Sequence, residues 1–221
     1  MIKFHPSKAL LQAHASGSLS PSMAIAVSAH CEMCPQCKKA LDECAAAEGK
    51  ALIGAEEAEV TEAVNAEFGD MLSNILSDSI DPITVTRATP DTHIDVAGER
   101  YKLPTALRRY KEIDWSTMGA ISRARLPLDE GKTRASLLHI GLNGSVPSHT
   151  HKGYELTLLL SGSFTDENGT YAPGDFIMLS GEDHHTPVSK DGCLCYTVSN
   201  APLHFTSGVS KLLNTIGRVI Y

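Results

Sequence analysis

The spacing of apolar residues changes near residue 80 and divides this chain into two kinds of structure. Before residue 80, apolar side chains recur every three or four positions, which is the period of a helix with one apolar face. After about residue 92, short apolar runs are separated by Gly, Pro, Asn and Asp, as in strands joined by turns. The sequence therefore predicts an α+β multidomain chain with a helical domain at residues 1–80, a linker at 81–91 and an all-β domain at 92–221.

Four helices are predicted in the first domain. A short helix ends near Gly17, Ser20 and Pro21 begin the second helix, and a third ends near Gly49. The fourth helix carries an apolar stripe whose members are Val60, Val64, Phe68, Met71 and Ile75. We expect this stripe to be a packing face, either for this protein or for a partner.

Two segments illustrate the strand pattern of the second domain. Leu156, Leu158 and Leu160 alternate along the chain, as in a strand with one buried face. The segment DENG, residues 166–169, predicts a hairpin turn.

Histidine and cysteine are concentrated in the segment AHCEMCPQC, residues 29–37. His30 and Cys34 lie one helical turn apart on the same face, and Pro35 can begin a new helix that brings Cys37 back toward them. Cysteine and histidine are the ligands that structural zinc prefers, and such zinc takes four of them. We therefore expect a zinc site, whose fourth ligand the spacing leaves open among His5, His14, Cys31 and Cys44.

Two other interpretations of these cysteines compete with zinc. A bare C-x-x-C also occurs in thioredoxin-like redox pairs, but those need a strand before the motif, and here a helix precedes it. Free cysteines also serve as small buried residues. The chain has six cysteines, and in a reducing cytosol clustered cysteines favour metal binding or redox chemistry over structural disulfides.

A second group of candidate ligands begins in the segment SHTHKGYE, residues 148–155. His149 and His151 share one face of a strand, and Glu155 begins the next strand. About thirty residues later, the segment PGD is followed by His184 and His185. Adjacent strand residues face opposite ways, so only one of these two histidines can join the group.

The pattern H-x-H-x3-E-x6-G, followed by P-G-D and a histidine, resembles the two motifs of the cupin family. Asn143 and Leu179 depart from that pattern, since the motifs usually have Gly and Pro there. The resemblance implies a cupin (jelly-roll) barrel that holds zinc or another divalent metal, through His149, His151, Glu155 and His185. His185 is favoured over His184 because cupin ligands often precede x-P, and a barrel without metal is the alternative.

The motif H-x-x-x-C-P-x-C in a small helical domain, together with the early His5-Pro6 and S-x-A-L-L, resembles the ChrR-type anti-sigma factors. That family joins a zinc-binding anti-sigma domain to a cupin-like domain, and its N-terminal histidine ligand corresponds to His5 here. The resemblance implies a zinc-dependent anti-sigma factor, not an enzyme. Its expected partner is an extracytoplasmic-function sigma factor, released under oxidative stress such as singlet oxygen, which the cupin domain senses.

Charge and hydropathy limit the other partners. The chain carries a net charge of −7, and five lysines, no arginine and eleven acidic residues give residues 1–80 a charge of −6. Such a surface repels nucleic acid and attracts a basic protein. We expect no membrane span and no signal peptide, and therefore a cytoplasmic protein.

A second class of function is a cupin metalloenzyme, of dioxygenase or isomerase type, with a helical interaction domain. Cupin barrels host many chemistries, and any small ligand of this barrel stays unidentified. Cys193 and Cys195 share a strand face, either as small strand residues or as thiols that can be oxidised near the barrel metal.

Overall fold

The computed structural model describes residues 1–53, 62–77, 91–181 and 183–205, without the side chains of residues 62–65, 67, 151, 203 and 205. Its helices are α1 (Lys8–Ala15), α2 (Pro21–Met33), α3 (Pro35–Ile53), α4 (Glu62–Ser77) and a 3₁₀ helix (Thr105–Tyr110). The predicted order of a helical region followed by a sheet-rich region is confirmed. The predicted boundary at residue 80 and most of the predicted linker lie outside the described residues.

The second helix begins at Pro21, as predicted, and the first two helices are capped in different ways. Ser7 caps α1, because its Oγ accepts a hydrogen bond from the Leu10 N–H at 3.3 Å. Ser20 makes no such bond at the start of α2. There the Glu130 carboxylate accepts from the N–H and the Oγ of Ser22 at 2.5 and 2.6 Å, so a distant acidic side chain caps the helix.

The predicted end of α3 near Gly49 is wrong, because the helix continues to Ile53. Gly49 costs a helix only about 1 kcal/mol relative to alanine, and its neighbours are strong helix formers. Gly17, in contrast, follows α1 with a φ of +69°, a left-handed conformation that glycine adopts without strain.

Strands make up most of the chain after residue 92. Their bounds are β1 (His93–Val96), β2 (Glu99–Lys102), β3 (Ser116–Met118), β4 (Ile121–Arg125), β5 (Arg134–Ile140), β6 (Gly144–Ser145), β7 (His149–His151), β8 (Glu155–Gly162), β9 (Phe164–Asp166), β10 (Gly169–Tyr171), β11 (Phe176–Leu179), β12 (His184–His185), β13 (Val188–Ser189), β14 (Cys193–Ser199) and β15 (Leu203–Phe205).

The largest sheet has the strand order β11-β8-β14-β5-β4-β3, and its pairs are antiparallel. Two smaller sheets have the orders β10-β9-β13-β6 and β12-β7-β15, and β1 pairs with β2. The predicted hairpin turn joins β9 to β10.

Strand β8 of the large sheet contributes to a buried core on each of its faces. Leu156 and Leu158 belong to a core that also contains Ala26 and Val27 of α2, so this face packs under the helices. The opposite face contributes Leu159 to a second core that includes Phe164 of β9 and defines the barrel interior. The strand therefore has two buried faces where the leucine alternation predicts one.

The contacts divide the chain into two compact units. Met1–Ala45 and Thr92–Tyr221 form the first, and Ala46–Asp91 form the second. The helices α1 and α2 and the part of α3 up to Ala45 thus share a core with the barrel, whereas α4 belongs to the second unit. In the described part of the chain, no helix combines the length and apolar composition that a membrane crossing needs.

Candidate metal centres

Four side chains from three segments meet beside α2. His5 precedes α1, His30 lies in the last turn of α2, Cys34 follows α2, and Cys37 lies in the first turn of α3. Their ligand atoms all lie within 4.8 Å of one another. The extended backbone of Cys34, with φ −119° and ψ 101°, separates α2 from α3 and turns Cys37 toward the other three. We call this group the cysteine cluster.

The distances within the cysteine cluster suit a tetrahedral ion. His5 Nδ1 lies 3.5 Å from the Sγ of Cys34 and 3.3 Å from the Sγ of Cys37. Zinc bonds of about 2.3 Å to sulfur and 2.0–2.1 Å to nitrogen give a tetrahedral edge of roughly 3.6 Å between S and N. The two sulfurs and two nitrogens also match the donor set of structural zinc sites.

His30 is oriented as a ligand by the barrel. Its Nδ1 lies 2.7 Å from the Gly174 carbonyl oxygen, so Nδ1–H donates to that oxygen. Nε2 is therefore the nitrogen that can act as a ligand in the cluster. Nε2 is buried and has no hydrogen-bond partner in the described structure. Burial lowers the pKa of His30, which keeps the imidazole neutral, as a metal ligand must be. A metal ion would satisfy this buried nitrogen.

The Cys37 thiol needs a nearby cation if it is to ionise. Burial and the neighbouring Cys34 raise the pKa of Cys37 to about 12. Thiolates are the form that binds metal, and a bound divalent cation supplies the charge that favours them. The three other candidates for a fourth ligand, His14, Cys31 and Cys44, are not members of the cluster.

The N-terminal segment that carries His5 is held by the PGD turn between β10 and β11. Asp175 is fully buried, and its Oδ1 accepts from the N–H groups of Lys3 and Phe4 at 2.6 and 3.1 Å. Gly174 has a φ of +94°, and a Cβ there would overlap the Ile2 side chain. In the sequence, PGD matches a cupin motif, and this second role is not visible there because no local pattern links residues so far apart in the chain.

A second cluster lies inside the barrel and contains His149, Glu155 and His185. His149 and His185 are opposite each other on the antiparallel strands β7 and β12, with their Nε2 atoms 2.9 Å apart. The Glu155 Oε2 lies 4.0 Å from the His185 Nε2. We call this group the barrel cluster.

Both histidines of the barrel cluster use Nδ1 for outer contacts and present Nε2 to each other. His149 Nδ1 lies 2.8 Å from the Pro147 carbonyl oxygen, and His185 Nδ1 lies 3.1 Å from Asp166 Oδ2. Carbonyl and carboxylate partners of this kind fix the tautomer of metal-binding histidines. Two imidazole nitrogens and a carboxylate suit zinc and several other divalent metals, so the donor set fits a metal without identifying it.

The structure distinguishes His184 from His185. His185 is buried and belongs to the barrel cluster, whereas the neighbouring His184 is exposed. His151 is two residues from His149 on β7, as predicted, but its side chain lies outside the described part of the structure.

Asp166 is a contributor that the sequence analysis missed. Besides its contact with His185, it accepts from the Asn168 N–H at 2.8 Å and from the Tyr171 hydroxyl at 3.2 Å. Burial and Asp166 raise the pKa of Tyr171 to about 12, so this hydroxyl stays protonated and donates. Within DENG, the aspartate resembles an ordinary turn residue, and only its contact with His185 reveals the second role.

Cys193 and Cys195 are buried in the barrel core on one face of β14. A hydrogen bond with the Cys195 thiol lowers the pKa of Cys193, and the same bond together with burial raises the pKa of Cys195. The lower pKa makes Cys193 the better nucleophile of the two.

A β-barrel with a histidine–glutamate cluster inside it, extended by helices that carry a two-histidine, two-cysteine cluster, defines a cupin-like protein with an added helical region. The ChrR cupin-like domain family matches residues 105–203 of this chain. The anti-sigma-E factor ChrR of Cereibacter sphaeroides is 32% identical over 220 residues, which is 99% of this chain and 99% of that protein.

A solved structure agrees with the sequence match. The structure of Rhodobacter sphaeroides SigE in complex with the anti-sigma ChrR aligns with a TM-score of 0.66 and 28% identity, covering 90% of this chain and 99% of that chain. This chain therefore belongs to the ChrR family. The family and the cupin fold that the sequence predicts are both confirmed.

Proposed function

We propose that this protein is a zinc-dependent anti-sigma factor that sequesters an extracytoplasmic-function sigma factor. The observation that carries the proposal is the cysteine cluster, located in a chain that matches an anti-sigma factor over its whole length. Small helical units have little core of their own, and a structural metal can supply folding energy. Zinc at His5, His30, Cys34 and Cys37 would hold the N-terminal segment, α2 and α3 in the binding conformation.

The exposed surface of α4 supports a sigma factor as the partner. Phe68, Met71 and Ile75 of the predicted stripe are 62%, 51% and 58% exposed, while Val60 and the Val64 side chain lie outside the described structure. Exposed apolar side chains at helical spacing are typical of a partner-binding face. Sigma factors are basic and use apolar surface to engage RNA polymerase, so an acidic helical region with an apolar stripe is complementary to them.

The barrel is proposed to sense the release signal, which we infer to be oxidative stress such as singlet oxygen. The barrel cluster, with His149, His151, Glu155 and His185 as ligands of zinc or another divalent metal, is one candidate target. The Cys193/Cys195 pair is another. Oxidation of Cys34 or Cys37 would instead expel zinc and disrupt the helical region directly.

This role requires no chemical turnover and no direct contact with nucleic acid. We therefore propose that the protein is not an enzyme, and that it acts in the cytoplasm, where RNA polymerase recruits sigma factors. Turnover of a small molecule by the zinc- or iron-loaded barrel would favour the metalloenzyme alternative.

Co-purification with the cognate sigma factor tests the proposal. Cys34→Ser should lose both the N-terminal zinc and the sigma factor, whereas Cys44→Ser, which alters a cysteine outside the cluster, should retain both. His149→Ala should retain the sigma factor in unstressed cells but fail to release it under singlet oxygen. If zinc-loaded wild-type protein captures no sigma factor, the proposed function is wrong.

A further inference from the structure

A chain of direct contacts leads from the barrel cluster toward the cysteine cluster. The His185 ring contacts Asp166 through Nδ1, and the other carboxylate oxygen of Asp166 accepts from the Tyr171 hydroxyl. Tyr171 is buried, and its ring packs against the ring of Phe4 with centroids 5.2 Å apart. Phe4 immediately precedes His5.

The backbone around Phe4 is fixed to the barrel as well. The Phe176 N–H donates to the Phe4 carbonyl oxygen at 3.0 Å, and Asp175 accepts from the Phe4 N–H. A displacement of Tyr171 or of the PGD turn is therefore transmitted to a short, tethered segment. His5, the next residue of this segment, has its Nδ1 within 3.5 Å of the Sγ atoms of both Cys34 and Cys37.

Metal in the barrel would fix the ring of His185 against Asp166. The Nε2 atoms of His149 and His185 lie 2.9 Å apart, close enough for one metal ion to bind both. A bond from the metal to His185 Nε2 would set the orientation of that ring, and with it the Nδ1 atom that lies 3.1 Å from Asp166 Oδ2.

We propose that the two centres are thermodynamically coupled through Asp166, Tyr171 and the N-terminal segment, so that metal in the barrel tightens metal binding at the cysteine cluster. This inference rests on the metal binding of the proposed function but not on the sigma factor. Coupling of this kind is typically worth a factor of about 5–150 in affinity and is reciprocal. Loss of the barrel metal would thereby lower the zinc affinity of the cysteine cluster without any chemical change to Cys34 or Cys37, while zinc in excess would still occupy the cluster and maintain sigma-factor binding.

A double-mutant cycle on the full-length chain tests the coupling. The readout is the affinity of the cysteine cluster for Co²⁺, titrated against a competing chelator. Its thiolate-to-cobalt absorption reports only the centre that has sulfur ligands. His149→Ala disables the barrel cluster, and Tyr171→Phe removes the hydroxyl while keeping the ring that contacts Phe4. The cycle comprises the wild type, each single variant and the double variant.

We expect His149→Ala to weaken Co²⁺ binding at the cysteine cluster about tenfold in the wild-type background, and to have little effect in the Tyr171→Phe background. Tyr101→Phe is the matched control, because it removes a hydroxyl bonded to His139, which belongs to neither cluster. In that background the full effect of His149→Ala should remain. Circular dichroism of each variant verifies that it is folded, and His149→Gln replaces His149→Ala if the latter is not.

Reciprocity supplies a second measurement. Cys37→Ser should weaken Zn²⁺ binding at the barrel by the same factor as His149→Ala weakens the cysteine cluster. An effect of His149→Ala that is absent, or that is equal in the wild-type and Tyr171→Phe backgrounds, overturns this inference and leaves sigma binding as proposed. A wild-type barrel that binds no divalent metal overturns both this inference and the proposed barrel centre.

Discussion

At the scale of single residues, Asp175 holds the N-terminal segment against the barrel. Its two carboxylate oxygens accept from three backbone N–H groups, those of Lys3, Phe4 and Ala172. Hydrogen bonds to charged groups contribute about 1.5–3 kcal/mol each, and a buried donor without a partner costs a similar amount.

Asp175→Ala should therefore lower the free energy of unfolding by about 3 kcal/mol or more and weaken metal binding at the cysteine cluster. Urea unfolding of the zinc-saturated protein measures the first effect. Asp183→Ala is the control, because Asp183 accepts from the Ser180 N–H in an exposed turn and its loss should cost under about 1 kcal/mol. Equal losses in the two variants would mean that Asp175 does not tether the N-terminal segment.

Burial of His139 should make the free energy of unfolding depend on pH, independently of either metal centre. It is buried, its Nε2 lies 3.1 Å from the Tyr101 hydroxyl, and its Nδ1 has no hydrogen-bond partner in the described structure. Burial lowers its pKa, so the unfolded chain binds a proton at this residue more readily than the folded protein. The stabilisation from neutral, buried His139 is fully present above the pKa of the unfolded chain, near 6.5. It is lost as the pH falls through the lower pKa of the folded protein.

The free energy of unfolding should consequently fall less between pH 7.5 and 5.5 in His139→Gln than in the wild type, whatever the absolute stability of the variant. His204→Gln, which alters an exposed histidine, should follow the wild-type pH dependence. An unchanged slope in His139→Gln would show that other groups dominate acid sensitivity.

At the scale of elements, Gly17 and Gly49 of the helical region have opposite roles. Gly49 lies inside α3, and a Cβ added there would meet no atom within 4 Å. Gly17 has positive φ after α1, where a residue with a Cβ is strained.

Gly49→Ala should stabilise α3 by about 1 kcal/mol, and Gly17→Ala should destabilise the protein by about the same amount. Amide hydrogen exchange in α3 and thermal unfolding followed by circular dichroism measure the two effects. Slower exchange in α3 is expected for Gly49→Ala. Faster exchange would show that the helix ends at Gly49, as the sequence alone predicts.

The apolar stripe of α4 makes the sharpest prediction about the partner. Ile75→Asp should weaken sigma-factor binding at least roughly tenfold, because burying an isoleucine is worth about 2 kcal/mol and a charge in its place adds a penalty. Ser73→Asp adds the same charge on the opposite side of the helix and should have little effect on affinity. Calorimetric titration with the sigma factor measures both. Equal affinities would exclude the stripe from the interface.

The elements also show which inferences a sequence supports. Ligand spacing predicted that His30, Cys34 and Cys37 would meet, because a helical turn and a proline-initiated helix fix their relative positions. Strand alternation likewise predicted that His149 and His151 share one face of β7, with Glu155 at the head of the next strand. The same alternation did not reveal which element covers Leu156 and Leu158. Alternating hydrophobic residues indicate that one face of a strand is buried, but not what packs against that face.

At the scale of the whole molecule, the main surprise is that the helical residues before Ala45 share a compact unit with the barrel. The contacts responsible, such as Lys3 with Asp175 and Ser22 with Glu130, join positions more than 100 residues apart. Long-range contacts of this kind leave no periodic signal. Resemblance to the ChrR family supplied the order of the regions and the N-terminal histidine, but not their packing.

The most direct test of the account is the affinity of the full-length protein for its cognate extracytoplasmic-function sigma factor, measured by calorimetry with zinc bound and after chelation. We expect a one-to-one complex with zinc, and a loss of at least roughly a hundredfold in affinity without it, restored when zinc is returned. A metal-free protein that stays folded and binds the sigma factor with undiminished affinity would contradict the central claim.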